Sequence, residues 1–292
     1  MNARLEPHDL RLKIVEADKV LLHEETDPAR VDRLTDYLLR DGSLRNPPLA
    51  ARTDDDRYAI LDGATRTTAL KQLGAKYILV QVVPYDGEGA QVEAWYHVLP
   101  DEAARRATKF VEDHANVVEE TSIEEAQLAL AERRSTAALT QEDGRVRLLT
   151  LHDNHLFHNP TDFNGRSDAV SPSSVLRSLV SVYGGAGEIY RIVHKDLVDI
   201  VREADVCPAV VMFPTFTPAE ILGVAMSGDL LPAGITRHLI TGRALNVNIP
   251  LVRLFTDTTK DEKNAWLKSW LTQKILDKKV RYYHEPVFIF DD

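Results

Sequence analysis

The stretch Ala59 to Leu73, AILDGATRTTALKQL, constrains this chain most, because an apolar run stops at Asp62-Gly63 and resumes with helical spacing. That pattern predicts a strand, a tight turn and a helix N-terminus. The opening amides of a helix have no partner within it, and the helix dipole adds partial positive charge at the same end. Phosphate binds well in such a place. Gly63 lets the backbone approach an anion closely, Thr65 can cap or donate, and Arg66 adds a permanently charged fork suited to phosphate oxygens. Asp62 is badly placed to greet a bare phosphate, so it points to a metal ion or to proton transfer. A plainer account has Asp62 and Thr65 capping a structural helix with Arg66 on a solvated face. Spacing alone leaves both accounts standing.

With 292 residues, 44% hydrophobic and 27% charged, the chain has the composition of an ordinary globular protein with one large or two modest cores. No segment approaches the ~20 apolar residues of a membrane span, and MNARLEPHDLRL lacks the apolar centre of a signal peptide, so a cytoplasmic location is expected. Cys207 is the only cysteine, which excludes an intrachain disulfide and a cysteine zinc cage. A net charge of −10 argues against broad nucleic-acid binding, which needs Lys and Arg to neutralise phosphates.

Along the chain, residues 11–22 read as one strand ending at His23-Glu24-Glu25, and Asp27-Pro28 starts a helix that Gly42 ends. Two strands joined by the polar turn Thr53 to Arg57 deliver Asp62, a helix at 65–73 follows, and Tyr77 to Pro84 is a buried strand. The strand at Gln91 to Leu99 carries Trp95, Tyr96 and His97. Beyond it are predicted helices within 101–135, with Thr121 or Ser122 as cap, a hairpin at 137–151, a polar loop at 152–168, and helices from Ser171-Pro172 and over 189–204. A short strand at 208–213 precedes a capping box at Thr217 to Glu220, and a Gly-containing turn presents Thr236, Arg237 and His238, with strand alternation beyond Arg243. A second capping box, Thr259 to Glu262, opens a helix with Trp266, Leu267, Trp270, Leu271 and Ile275 on its apolar side and lysines 260, 263, 268, 274, 278 and 279 on a solvated face. The fold class is therefore α+β, with a first domain over 1–100 and a second α+β domain over 101–292.

His23-Glu24 at a strand end, followed by ILDGATR, resembles the ParB/sulfiredoxin fold and, within it, the free serine kinases. FPTFTPAEIL, SGDLLPAGITRH and GRALNVNIPL, spanning Phe213 to Leu251, resemble the substrate half of the same enzymes and are the more specific signal. The resemblance implies a nucleotide domain followed by a substrate half, and phosphoryl transfer from ATP or ADP, with Mg²⁺, to the hydroxyl of free L-serine or a related hydroxy amino acid, giving O-phospho-L-serine. It implies that Glu24 is the catalytic carboxylate and that Asp62 is its partner near metal and phosphate, while Gly63, Ala64, Thr65 and Arg66 form the phosphate turn. This division suits a reaction that depends on positioning, charge neutralisation and one carboxylate at the acceptor hydroxyl. The family usually has two histidines between the DG and the Arg, where this chain has Ala64-Thr65, so backbone amides, Thr65 and Arg66 remain as donors.

Trp95 and His97 align by resemblance with a substrate-side strand, or they are packing residues on one strand face. Thr236, Arg237 and His238 after Gly234 suit an amino-acid carboxylate. His152, His155 and His158 have the wrong spacing for a metal site on one helix face and read as loop histidines. The alternative function is a non-catalytic nucleotide-sensing or DNA-binding regulator, because the same fold occurs in chromosome-partition proteins. The acidic balance and the lack of a helix-turn-helix pair favour the kinase. A nuclease is weaker still, and sulfiredoxin chemistry is disfavoured because the turn after Gly63 has no cysteine.

Overall fold

The computed structural model describes residues 7–85, 90–114, 120–141, 144–150, 171–197, 200 and 208–283. The chain forms two compact units. The first comprises Met1–Leu22, Thr26–Gln91 and Ile240–Asp292, and the second His23–Glu25 and Val92–Leu239.

In the first unit, β1 (Leu12–Glu16), β2 (Val20–Leu22), β4 (Leu49–Arg52), β5 (Tyr58–Asp62) and β6 (Tyr77–Val82) form a sheet in the order β1-β6-β4-β5-β2. The single strand expected over 11–22 is thus two strands at opposite edges. A 3₁₀ turn at Ala17–Lys19 carries the chain across, so β1 runs antiparallel to β6 and β2 parallel to β5. The pairing of β4 with β5 is the antiparallel one expected around the polar turn.

Helix α1 (Pro28–Asp41) starts at Asp27, whose side chain accepts from the amides of Ala29 and Arg30, and it ends at a left-handed Gly42. Helix α2 (Ala64–Gln72) follows β5 through Gly63. A two-residue strand β3 (Ser43–Leu44) pairs with β14 (Ile249–Pro250), and the short helix α7 (Val252–Phe255) and helix α8 (Lys260–Leu276) complete the unit. The strand alternation expected beyond Arg243 is absent over most of that segment, because Asn246 and Asn248 take positive φ of 53° and 53°, which no strand accommodates. The core joins Ile14, Val31, Ile60, Leu70 and Leu79 with Ile249, Leu254, Leu267 and Leu271, so apolar faces from both ends of the chain are buried together.

Lys263 departs from the solvated lysine face. It is 3% exposed, and its ammonium donates to the carbonyls of Arg253 and Thr256 and to the Thr256 hydroxyl, each at 2.8 Å. These acceptors lie at the C-terminal end of α7, where a cation also meets the negative pole of the helix.

The second unit holds a seven-stranded sheet in the order β11-β7-β12-β9-β10-β8, in which β12 is Ala209–Met212, with β13 (Thr236–Ile240) beside β7 (Ala90–Leu99). Strands β9 (Ala137–Thr140) and β10 (Val146–Leu149) form the expected antiparallel hairpin, and β8 (Glu120–Thr121) extends it. Helix α3 (Asp101–His114) packs on α5 (Pro172–Tyr183), α4 (Ile123–Ala131) has Ser122 as its cap, and α6 (Pro218–Ser227) carries the predicted capping box.

The helix expected from residue 189 is instead strand β11 (Tyr190–Val193), paired antiparallel with β7, and a 3₁₀ turn follows at His194–Asp196. Tyr190, Ile192 and Val193 are aromatic or β-branched, and the open edge of β7 supplies the partner that decides between helix and strand. Residues 198–199 and 201–207 of that segment, including Cys207, lie outside the described residues, as do the loop at 152–168 and His152, His155 and His158.

Candidate functional site

In the first unit, β5 ends at Asp62, and Gly63 takes a left-handed φ of 95° before α2 begins with no side-chain cap. The turn needs glycine for a second reason: a Cβ there would lie 3.1 Å from the Pro48 Cα. Arg66 does not sit on a solvated face. Its side chain is 20% exposed and donates to the Asn46 carbonyl at 3.1 Å and to Asp62 Oδ2 at 2.9 Å. Arg243 reaches the same carboxylate oxygen. Burial pulls the Arg66 pKa down from its ordinary value, with Asp62 opposing that shift and the charge of Arg243 adding to it. Two guanidiniums around one carboxylate make a net cationic cluster at a helix N-terminus, which is the chemistry of an oxyanion site. Ala64 is buried and Thr65 half-buried in the first turn of α2.

In the second unit, the segment bearing Glu24 is held by Leu231: the Leu231 amide donates to the His23 carbonyl at 2.9 Å and the Glu25 amide to the Leu231 carbonyl at 2.8 Å. The Glu24 carboxylate then accepts the Gly234 amide at 3.2 Å. His23, fully buried, places its Nε2 2.9 Å from the Thr236 hydroxyl and its ring edge-on to His238 at 5.4 Å.

Thr236, Arg237 and His238 begin β13 rather than forming a turn, and strand alternation separates them. Thr236 and His238 face His23, whereas Arg237 pairs with Glu93 at 2.9 Å and lies over the Trp95 ring at 4.7 Å. Half-buried Trp95 and Arg237 therefore share one surface.

His97 is 2% exposed, flanked by Tyr183 and Phe213. Its Nε2 is 3.0 Å from the Gly234 carbonyl and its Nδ1 2.9 Å from the Tyr183 hydroxyl. Burial drives its pKa down to about 4, the Gly234 carbonyl opposing and Arg191 adding to the shift. A carbonyl only accepts, so the neutral ring carries its proton on Nε2 and takes the Tyr183 hydroxyl proton at Nδ1.

Sequence reasoning left Arg243, His23, Gly234 and Tyr183 without a role. Arg243 and Gly234 sat inside the quoted motifs GRALNVNIPL and SGDLLPAGITRH, so the motifs carried the signal while the pairing needed coordinates. Among the described residues, no group of three or more His, Cys, Asp and Glu could hold a metal ion, and no helix is long and apolar enough to cross a membrane.

No protein-family description matches the chain. An ATP-dependent L-serine kinase of Staphylococcus aureus, SbnI, is 26% identical over 280 residues, which cover 96% of this chain and 97% of that protein. The ADP-dependent L-serine kinase SerK of Thermococcus kodakarensis is 24% identical over 243 residues, 82% of this chain and 92% of SerK. Among solved structures, C-terminally truncated SbnI superposes with a TM-score of 0.65 at 24% identity, covering 94% of this chain and 99% of that one. A free serine kinase in complex with AMP gives 0.62 at 20% identity, covering 84% and 94%. By fold the chain is thus an α+β protein of the kind that these kinases adopt. Sequence likeness over nearly its whole length is to proteins named as L-serine kinases.

Proposed function

We propose that this protein is a small-molecule kinase that moves the terminal phosphoryl group of ATP or ADP to the hydroxyl of free L-serine. The observation that carries the reading is the likeness to a named L-serine kinase across 96% of the chain. The cationic turn of the first unit gives it a chemical basis.

On this reading the first unit, which we take to be ParB/sulfiredoxin-like, is the nucleotide side. The amides after Gly63, with Thr65, Arg66 and Arg243, hold the phosphates. Asp62, a half-exposed hard carboxylate at the strand end, fits Mg²⁺ only as one protein contact to an ion that arrives with the nucleotide, since Mg²⁺ takes one or two carboxylates plus phosphates and water. When bound, the ion neutralises charge on the phosphates.

The second unit, which shares residues 101–239 with the substrate half expected over 101–292, supplies the acceptor side. Thr236, His238 and Arg237 with Trp95 are the groups assigned to the amino acid, and Glu24 orients the serine hydroxyl and takes its proton. As the hydroxyl oxygen bonds to phosphorus, the bridging P–O bond breaks and ADP or AMP leaves with the electron pair. The place of work is the cytoplasm, the compartment expected from the sequence.

Purified protein incubated with Mg²⁺, ATP or ADP, and a panel of amino acids is expected to yield O-phospho-L-serine, read by mass spectrometry. Nucleotide binding without any phosphorylated amino acid would instead support a non-catalytic sensor.

A further inference from the structure

Gly234 hydrogen-bonds two side chains, one through its amide and one through its carbonyl. Its amide donates to the Glu24 carboxylate at 3.2 Å, and its carbonyl accepts from His97 Nε2 at 3.0 Å. The other ring nitrogen of His97 is fixed by the Tyr183 hydroxyl at 2.9 Å, and Tyr183 is completely buried. Gly234 also has a left-handed φ of 79°, and a Cβ on it would fall 2.2 Å from the Arg191 guanidinium. Gly234 therefore joins two peptide units at its Cα: the one behind it donates to Glu24, the one ahead of it is held by the imidazole, and its left-handed φ fixes the angle between them.

We infer that His97 is a positioning residue for Glu24: the Tyr183 hydroxyl sets the His97 ring, the ring holds the Gly234 carbonyl, and through the left-handed Gly234 backbone that hold fixes the amide that sets the direction in which the Glu24 carboxylate presents its oxygens. The inference rests on the reading of Glu24 as the base, and it gives His97 a role other than contact with substrate. A ring so deeply enclosed has no surface to offer an amino acid, while its proton points at a carbonyl that needs a donor. Hydrogen-bonded partners of this kind fix reactive groups to within fractions of an ångström, and small misplacement is costly in rate.

The test uses His97→Leu, His97→Gln, Tyr183→Phe and Glu24→Gln in the full chain. Glutamine reaches the Nε2 position with an N–H donor, so His97→Gln is expected to retain most of the turnover that His97→Leu loses. His97→Leu is expected to lower kcat by ~10-fold or more while serine and nucleotide KM stay within ~3-fold, with Tyr183→Phe in the same direction and smaller. In a Glu24→Gln background His97→Leu should add little further loss, because both changes act through one carboxylate.

Selective ¹⁵N-glycine labelling gives a readout independent of activity: the Gly234 amide resonance is expected to move in Glu24→Gln and again in His97→Leu. Full activity of Glu24→Gln would overturn the base assignment, whereas a Gly234 amide unmoved by His97→Leu would overturn the relay by itself. A rise in serine KM at constant kcat would also overturn it, by making His97 a substrate contact. If His97→Leu fails to fold, Tyr183→Phe, which removes one oxygen and keeps the ring, decides the kinetic question.

Discussion

Arg243 and Asp62 form an ion pair across 181 positions of chain, on the same carboxylate oxygen that Arg66 holds. One negative charge thus organises two positive ones, and under the proposed function a phosphate at the turn would meet a preformed pair of guanidiniums. A charge-assisted contact contributes ~1.5–3 kcal/mol, so Arg243→Ala and Arg66→Ala are each expected to weaken nucleotide binding about 10-fold or more. Isothermal titration with ADP and ATP measures this. Unchanged affinity in Arg243→Ala would remove that residue from the phosphate site.

Glu24→Gln keeps size and loses basicity. With general-base catalysis contributing ~10²–10⁴-fold, the variant is expected to turn over at least ~100-fold more slowly at near-normal nucleotide affinity. Asp62→Asn, by contrast, is expected to lose Mg²⁺-dependent nucleotide binding, which titration with and without the metal distinguishes.

Arg237 shares a surface with Trp95 and is tethered by Glu93. Arg237→Ala is expected to raise the serine KM well beyond any change in the nucleotide KM. A variant altered only in nucleotide KM would take Arg237 away from the amino acid.

The depressed pKa of His97 has a sign in stability. The folded ring ionises at about 4 and a free histidine at 6.5, so between those values the unfolded chain binds more protons. Stability is complete above pH 6.5 and falls as pH drops toward 4, by about 3 kcal/mol at most from this group. Urea unfolding of the wild type and His97→Gln across pH 4–7 checks it: the variant is expected to show a shallower acid loss, and parallel curves would assign the loss elsewhere.

Lys263→Met preserves length and apolar bulk but leaves the carbonyls of Arg253 and Thr256 without their donor. Unsatisfied buried acceptors cost ~1–3 kcal/mol. A lower urea midpoint with unaltered kcat is the expected result, and an unmoved midpoint would show that water replaces the ammonium.

Local chemistry made much of this legible. Asp27-Pro28, Ser122, Thr217 and Thr259 announced their helices because each cap is satisfied within three or four residues. The strand and turn at Asp62-Gly63 were readable for the same reason. What sequence hid depends on partners far along the chain. Tyr190–Val193 became a strand because β7 had an open edge, residues 11–22 split because their halves pair with different strands, and Lys263 went inside because α7 offers it carbonyls. The separation of Arg237 from Thr236 and His238 follows from strand alternation, which a reading of that segment as a turn concealed.

Asn264 in α8 accepts from the Ile14 amide at 3.0 Å and donates to the Ile14 carbonyl at 2.8 Å, and α8 lines the same core as β1. Translation delivers Asn264 fully 250 residues after Ile14. The core begun before the Val92–Leu239 unit is therefore closed after it: a ribosome that has finished that unit has still not supplied the wall that seals the sheet of β1. Nascent chains arrested before residue 252 are expected to yield to protease within residues 12–82, and to gain resistance there only when α8 has left the exit tunnel.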